Sequence, residues 1–402
     1  MEYIKAGRLI DGCGNVSENM ILCIDEGKIK GILKAEQMAK EVEFIDYSDF
    51  TILPGLINAH IHAFSPCDMR AEEEQARTPL QKAYDGERFM HDLLYSGVTA
   101  ARSLGSEGTS EQQLRDCINN GTVIGPDLVV CGRVITMSGG HGWSDGMQSD
   151  GVDECRKNTR ILLREGADVI KIMATGGVMT KGVEPGSAQL TMEEMKVCVE
   201  EAHKAGKKTA THAQGNQGIR NALNAGIDSI EHGIYLDDEV IAQMLRQGTY
   251  LVPTLAAPKC IVDHGEGILP DYVMRKSKLV IDAHVESFKR AYAAGVKIAV
   301  GTDAGTPYNF HDKTAYELEL MVKYGVAPME AITFATHNSA ECLGIEADHG
   351  TIEVGKFADL IVLEKNPLDD ITALQIYFTT SRSSLDKHSG CRNISQGCLC
   401  LS

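Results

Sequence analysis

The sequence holds one tryptophan in 402 residues, and no run of about 18 apolar residues long enough for a transmembrane helix. Basic residues are in deficit. Lys and Arg number 39 against 56 Asp and Glu, a formal net charge of −17. A nucleic-acid binder needs a basic face, so nucleic acid is not an expected partner, and neither is a membrane. The opening MEYIKAGRLIDGCG has neither the apolar core nor the cleavage site of a secretory signal. The twelve cysteines include no CxxC pair. Several, such as Cys131 and Cys198, fall inside strand-like or helix-like segments. Reduced thiols in a cytoplasmic protein are the expectation, and the NVS and NIS sequons then carry no meaning. The fragment GCGNVS lacks the third glycine of a dinucleotide fingerprint.

What is present is ordinary globular composition, 43% hydrophobic and 24% charged. The length suits one large domain and a smaller one. Residues 1–53 read as short apolar strands broken by Gly, Asp and Asn. From Pro54 and Gly55 onward, strand-like and helix-like segments alternate, as in a parallel sheet covered by helices. Eight strand candidates follow: GLINAHIH, GVTAARSLG, PDLVVCGRVI, DVIKIMATGG, KKTATHAQG, DSIEHG, TYLVPTL and VKIAVGTDAG. Eight is the number that closes a (β/α)8 barrel. Between them, Thr191 and Glu194 form a capping-box signature, and several helical segments stop at glycine. The texture turns to β again after residue 348. The expected fold is therefore α/β: a TIM barrel over 54–347, with a smaller β-sandwich domain built from both chain ends, 1–53 and 348–373. Residues 374–402, Ser- and Cys-rich, are expected to form an atypical, mobile tail.

The ligand-type side chains fall at strand ends. His60 and His62 close the first strand on one face, since residues two apart share a face. Lys171 lies on the fourth strand, His212 ends the fifth, His232 the sixth and Asp303 the eighth. Such ends converge on one mouth, where barrel enzymes keep their active sites. Four imidazoles and a carboxylate there suit zinc or a similar divalent ion. Each residue alone has a plainer reading: a hydrogen-bonded core histidine, an Asp303 that caps a turn, a Lys171 that snorkels to the surface. The joint pattern favours the metal.

Alternation sets Val169, Lys171 and Met173 on one face and Ile170, Ile172 and Ala174 on the other. The second face suits packing under helices, so the first points into the barrel. Burial and neighbouring cations both favour the neutral amine. A neutral amine reacts with carbon dioxide to give a carbamate, an anion able to bridge two metals.

With these residues stand the words LPGLINAHIH, DVIKIMATGG, THAQG, SIEHGIYLDD, VPTL, GTDAG and ATHNSAECLGI followed by GTIEVGKFADLIVL. Together they resemble the amidohydrolase superfamily in its binuclear form with a carboxylated lysine. Within it they are similar to the imidazolonepropionase-related branch that holds the Xaa-Pro dipeptidases (prolidases). The resemblance spans roughly residues 1–370. It implies two divalent metal ions, zinc by expectation: one on His60, His62 and Asp303, the other on His212 and His232. Carboxylated Lys171 and a hydroxide bridge them. It implies a hydrolase of C–N bonds in which the bridging hydroxide attacks the amide of a dipeptide, Xaa-Pro included, or of an N-acyl amino acid. Asp303 is its general base and then acid. His141, after the third strand, and Tyr235, three residues past His232, are implied substrate contacts and catalytic candidates. The plainer readings are a loop histidine on backbone and an amphipathic loop tyrosine. The glycine-rich MTKGVEPGSAQ and Trp143 are candidates for the pocket wall. His91, His203, His284 and His311 read as surface or structural, and His337 as a residue without a ligand role.

Two other functions stay open: a mononuclear cyclic amidohydrolase or deaminase, which does not need Lys171, and a scaffold on a barrel that has lost catalysis. The expected partner is a small molecule, and a homo-oligomer is compatible with the chain.

Overall fold

The computed structural model describes residues 1–38, 42–68, 73, 76–375 and 398–401. The N-terminal strands are β1 (Glu2–Ile10), β2 (Val16–Asp25), β3 (Lys28–Lys34) and β4 (Ile45–Pro54). β2 and β3 pair from Asp25 and Lys28, leaving a two-residue turn. Both turn residues, Glu26 (φ 50°) and Gly27 (φ 70°), are left-handed, as a tight hairpin that follows the strand twist requires.

β4 passes almost directly into the barrel. The barrel strands are β5 (Leu56–Ile61), β6 (Val98–Ser103), β7 (Asp127–Val130), β8 (Ile135–Thr136), β9 (Met147–Gln148), β10 (Val169–Met173), β11 (Lys208–Ala213), β12 (Ser229–His232) and β13 (Tyr250–Val252). Only Gly55 separates β4 from β5. A Cβ there would meet Thr99 Oγ1 at 2.1 Å, so the crossing requires glycine.

β5, β6 and β7 pair in parallel, as do β8 and β10 through β13. The predicted third strand is split into β7 and β8. The predicted eighth strand makes single parallel bridges rather than a long ladder: Ile298 to Leu251 of β13, and Ala304 to Ile61 of β5. Its backbone nevertheless joins both neighbours. Leu251 N donates to Lys297 O at 2.8 Å, Ala59 N to Val300 O at 2.7 Å and Asp303 N to His60 O at 2.8 Å. This closes the barrel.

The layers follow the alternation. Ile170, Ile172 and Ala174 join the large cluster under the helices, whereas Val169 and Met173 pack with Leu104, Cys131 and Ala210 inside the barrel. Each fully buried isoleucine contributes about 1.5–3 kcal/mol. Thr191 caps the helix Met192–Lys204 by accepting from Glu194 N, and Glu194 completes the capping box. Gly226 and Gly248 end their helices in left-handed conformation.

The chain returns to the small domain as β14 (Leu360–Leu363) and β15 (Cys398–Leu401). Its six strands form one mixed sheet in the order β15-β14-β4-β1-β2-β3, in which β1 and β4 are the parallel pair. The chain end departs from expectation. Cys398–Leu401 does not stand apart as tail but pairs antiparallel with Leu360–Leu363, supplying the backbone partners that the β14 edge would otherwise lack. Four residues are too few to show periodicity in a sequence. Residues 376–397, the bulk of the predicted mobile tail, lie outside the described residues. Among the described residues no helix is long and apolar enough to cross a membrane.

Candidate metal centre

His60 sits on β5 beside a register shift between Asn58 and Ile61, a local irregularity that re-aims side chains. It is 1% exposed. Its Nδ1 lies 2.8 Å from Glu231 Oε2. A carboxylate only accepts, so Nδ1 carries the proton and Nε2 the lone pair. His62 Nδ1 donates to Gly105 O at 3.3 Å, again freeing Nε2. His212 is held the other way round. Its Nε2 donates to Gly176 O at 3.2 Å, leaving Nδ1. His232 Nδ1 is 2.7 Å from Thr254 Oγ1.

The free nitrogens converge. His60 Nε2 and His62 Nε2 lie 3.3 and 3.0 Å from the same oxygen of Asp303, Oδ1. Ligand atoms of His60, His232 and Asp303 all fall within 4.8 Å of one another. The rings of His60 and His232 are 5.3 Å apart, and those of His212 and His232 4.6 Å. Nitrogens of His60, His62 and His232 gathered near one carboxylate, their rings held through the other nitrogen, form a donor set that fits a divalent cation.

Two of these residues reach the mouth only by unusual backbone. On β12, Ser229 and Glu231 face inward, which would turn His232 outward with Ile230. His232 takes φ 71° and swings in, and Asp303 does likewise at φ 60°. Non-glycine residues seldom adopt this region, and strain of this kind gathers at functional sites.

Burial depresses His60 and His212 far below the usual imidazole range, with Lys171 next in weight at His60 and the His141 ring next at His212. It takes His232 to about 3. Burial acts the same way on His62, but the Asp303 carboxylate more than offsets it and the net shift is upward. Burial alone would raise the Asp303 carboxyl; the adjacent His60 and His62 rings hold it well below the carboxylate range. Lys171 is 1% exposed, and burial lowers its pKa against the opposing pull of Glu231 and Asp303.

His141 joins the cluster. Its ring is 4.3 Å from that of His212, its Nδ1 is 2.8 Å from Thr180 Oγ1, and burial lowers it to about 4. Tyr235 lies beside the loop that follows β10. Its ring lies against Gly186 and packs with the apolar cluster of Ile234 and Met274. Trp143 is 48% exposed. His284 and His311 are buried and structural, each bonding a carbonyl of the histidine cluster: His284 Nε2 to His232 O at 3.1 Å, His311 Nε2 to His62 O at 3.0 Å.

The sequence reading missed Glu231 and Arg102. Glu231 is fully buried. It receives Arg102 Nη2 at 2.8 Å and Ser229 Oγ at 2.6 Å, besides His60. Alternation along SIEH was the available signal, because it sets Glu231 inside the barrel.

A model of the amidohydrolase family matches residues 51–383. The chain belongs to the amidohydrolase family. This amidohydrolase is 33% identical over 408 residues to ochratoxinase of Aspergillus niger, covering 92% of this chain and 83% of that one. A solved Xaa-Pro dipeptidase with methionine bound in its active site superposes with a TM-score of 0.87 at 34% identity, covering 93% of this chain and 96% of that one. A prolidase complexed with N-methylphosphonate-L-proline gives 0.86 at 26% identity, covering 93% and 95%. The amidohydrolase is thus a metal-dependent hydrolase of C–N bonds, related to ochratoxinase and the prolidases.

Proposed function

We propose that this amidohydrolase cleaves the amide bond of dipeptides, Xaa-Pro among them, or of N-acyl amino acids, using two divalent ions and a carboxylated Lys171. The observation that carries the reading is Lys171: an amine 1% exposed, directed into the barrel among imidazoles, with its charged form disfavoured by burial. The methionine and the proline phosphonate bound by two relatives support an amino-acid-like substrate.

His60, His62 and Asp303 would hold one ion, His212 and His232 the other, and the carbamate on Lys171 would join them. When bound, such ions acidify a water to a pKa near 7 and polarise the scissile carbonyl. Asp303, ionised across the working pH range, accepts the proton of the attacking water and delivers it to the departing amine. His141 is neutral, with Nδ1 engaged by Thr180, and offers Nε2 to the substrate. The unpaired cysteines among the described residues suit a cytoplasmic setting.

A one-metal reading draws on the compact group of His60, His232 and Asp303. Elemental analysis separates the two. Two ions per chain, lost together with turnover in Lys171→Ala, support the binuclear site; one ion with Lys171→Ala fully active overturns it. A panel of Xaa-Pro, other dipeptides and N-acyl amino acids, run with bicarbonate, tests the substrate. No turnover on any of them, by metal-loaded protein, rejects that assignment. Asp303→Asn should fold yet lose turnover.

A further inference from the structure

A second buried lysine lies outside the metal cluster. Lys276, on the helix Asp271–Ala294, is 1% exposed. Its ammonium donates to three backbone carbonyls of one loop: Gly177 O at 3.3 Å, Thr180 O at 2.8 Å, and Val183 O. An ammonium has three N–H donors, and here all three go to the segment that leaves β10. Two neighbours on the same helix reinforce the attachment. Tyr272 Oη donates to Met179 O at 3.2 Å, and Arg275 Nη2 meets Glu184 Oε1 at 2.6 Å.

That segment is what holds His141. Thr180 Oγ1 engages His141 Nδ1. Gly177 lies so close to the imidazole that a Cβ would come within 2.6 Å of its ring atoms. Removing the ammonium would leave three loop carbonyls without their donor and free Thr180 to move. A shift of 1 Å at a substrate-positioning group is enough for a large loss of rate.

We propose that Lys276 is a positioning residue for His141, acting through the Gly177–Val183 segment and Thr180. The inference rests on the reading of His141 as a substrate contact.

Lys276→Met keeps the stem and removes the donors. It should lower kcat/KM about tenfold or more with bound metal unchanged. A merely structural role would be additive with other lesions, so the decisive measurement is a double-mutant cycle. In a His141→Ala background Lys276→Met should cost less than about twofold; a full tenfold loss there overturns the proposal. Thr180→Val, which leaves the ammonium in place, should show the same fall and the same non-additivity. Wild-type kcat/KM in Thr180→Val overturns the proposal even where Lys276→Met does not fold. Trypsin cleavage after the exposed Lys181 needs no substrate. It should accelerate in Lys276→Met, and an unchanged rate also overturns the proposal. Wild-type protein inert on the whole substrate panel would instead reject the proposed function, with the cleavage assay still reporting on the loop.

Discussion

Glu231→Gln removes one charge from a site that solvent does not reach. Glu231 and Arg102 are 0% and 1% exposed at 2.8 Å, so the substitution leaves the guanidinium buried without its counter-charge. Losing one partner of such a pair costs about 3–5 kcal/mol. A second effect falls on the metal. The carboxylate compels His60 Nδ1 to donate, which reserves Nε2 for the ion. A glutamine that keeps its oxygen on Arg102 presents its NH2 to Nδ1, so Nδ1 must accept and the ring proton moves to Nε2. The opposite flip sets the NH2 against the Arg102 donors. Either orientation sacrifices one contact, and loss of a partner behind a metal-ligating histidine costs about 10–100-fold in metal affinity. One term opposes the loss: without Glu231 the Lys171 amine is more readily neutral, because Glu231 raises its pKa. That helps carbamate formation but restores neither the ligand tautomer nor the Arg102 pairing. Urea unfolding of metal-free protein reads the first effect, and competition with a graded chelator reads the second. Unfolding within about 1 kcal/mol of wild type, together with unchanged metal retention, would refute the reasoning.

Other expectations are as direct. Gly177→Ala should displace the His141 ring and cut kcat/KM about tenfold or more while metal content holds, and wild-type turnover would contradict the close approach. His349 lies 2.9 Å from Asp359 and 3.5 Å from Asp127. Burial lowers its pKa, but these carboxylates outweigh burial and raise it above 6.5. A raised folded-state pKa stabilises fully below about 6.5 and fades as pH climbs through the folded value. The stability gap between wild type and His349→Asn should therefore be wider at pH 6 than at pH 9, and an equal gap in urea melts refutes it. Deleting residues 398–402 uncovers the apolar edge Leu360–Leu363. Self-association by light scattering with full metal content is expected, and loss of metal would contradict it.

Much of the centre was legible because strand alternation is simple. Lys171 faces inward, as the period-two pattern of VIKIM requires, and the HxH pair meets Asp303 at the mouth. Alternation misleads at His232, whose inward direction comes from left-handed backbone that SIEHG does not announce. Arg102 looked like any strand residue. Its role depends on Glu231, which is brought beside it only when the barrel closes. Lys276 was invisible for the same reason, its three partners lying more than 90 residues upstream on the loop it fastens. The β15 strand was too short to see, and the split third strand shows that turns inside an apolar run leave little trace in composition.

His60 and Asp303 belong to the first and last strands of the barrel, and their neighbours Asn58 and Thr302, 244 residues apart, are joined at 2.8 Å. The ligand set therefore straddles the point where the ring is completed. An unfinished chain holds His60 and His62 without Asp303, so an ion that needs all three cannot be held before the last strand is made. Contacts this distant in sequence form late and slowly. Capture of the ion by His60 and Asp303 together marks the final docking of the last strand. In a pulse of metal during refolding, the ion shared by His60 and Asp303 should be taken up only by molecules that have already closed.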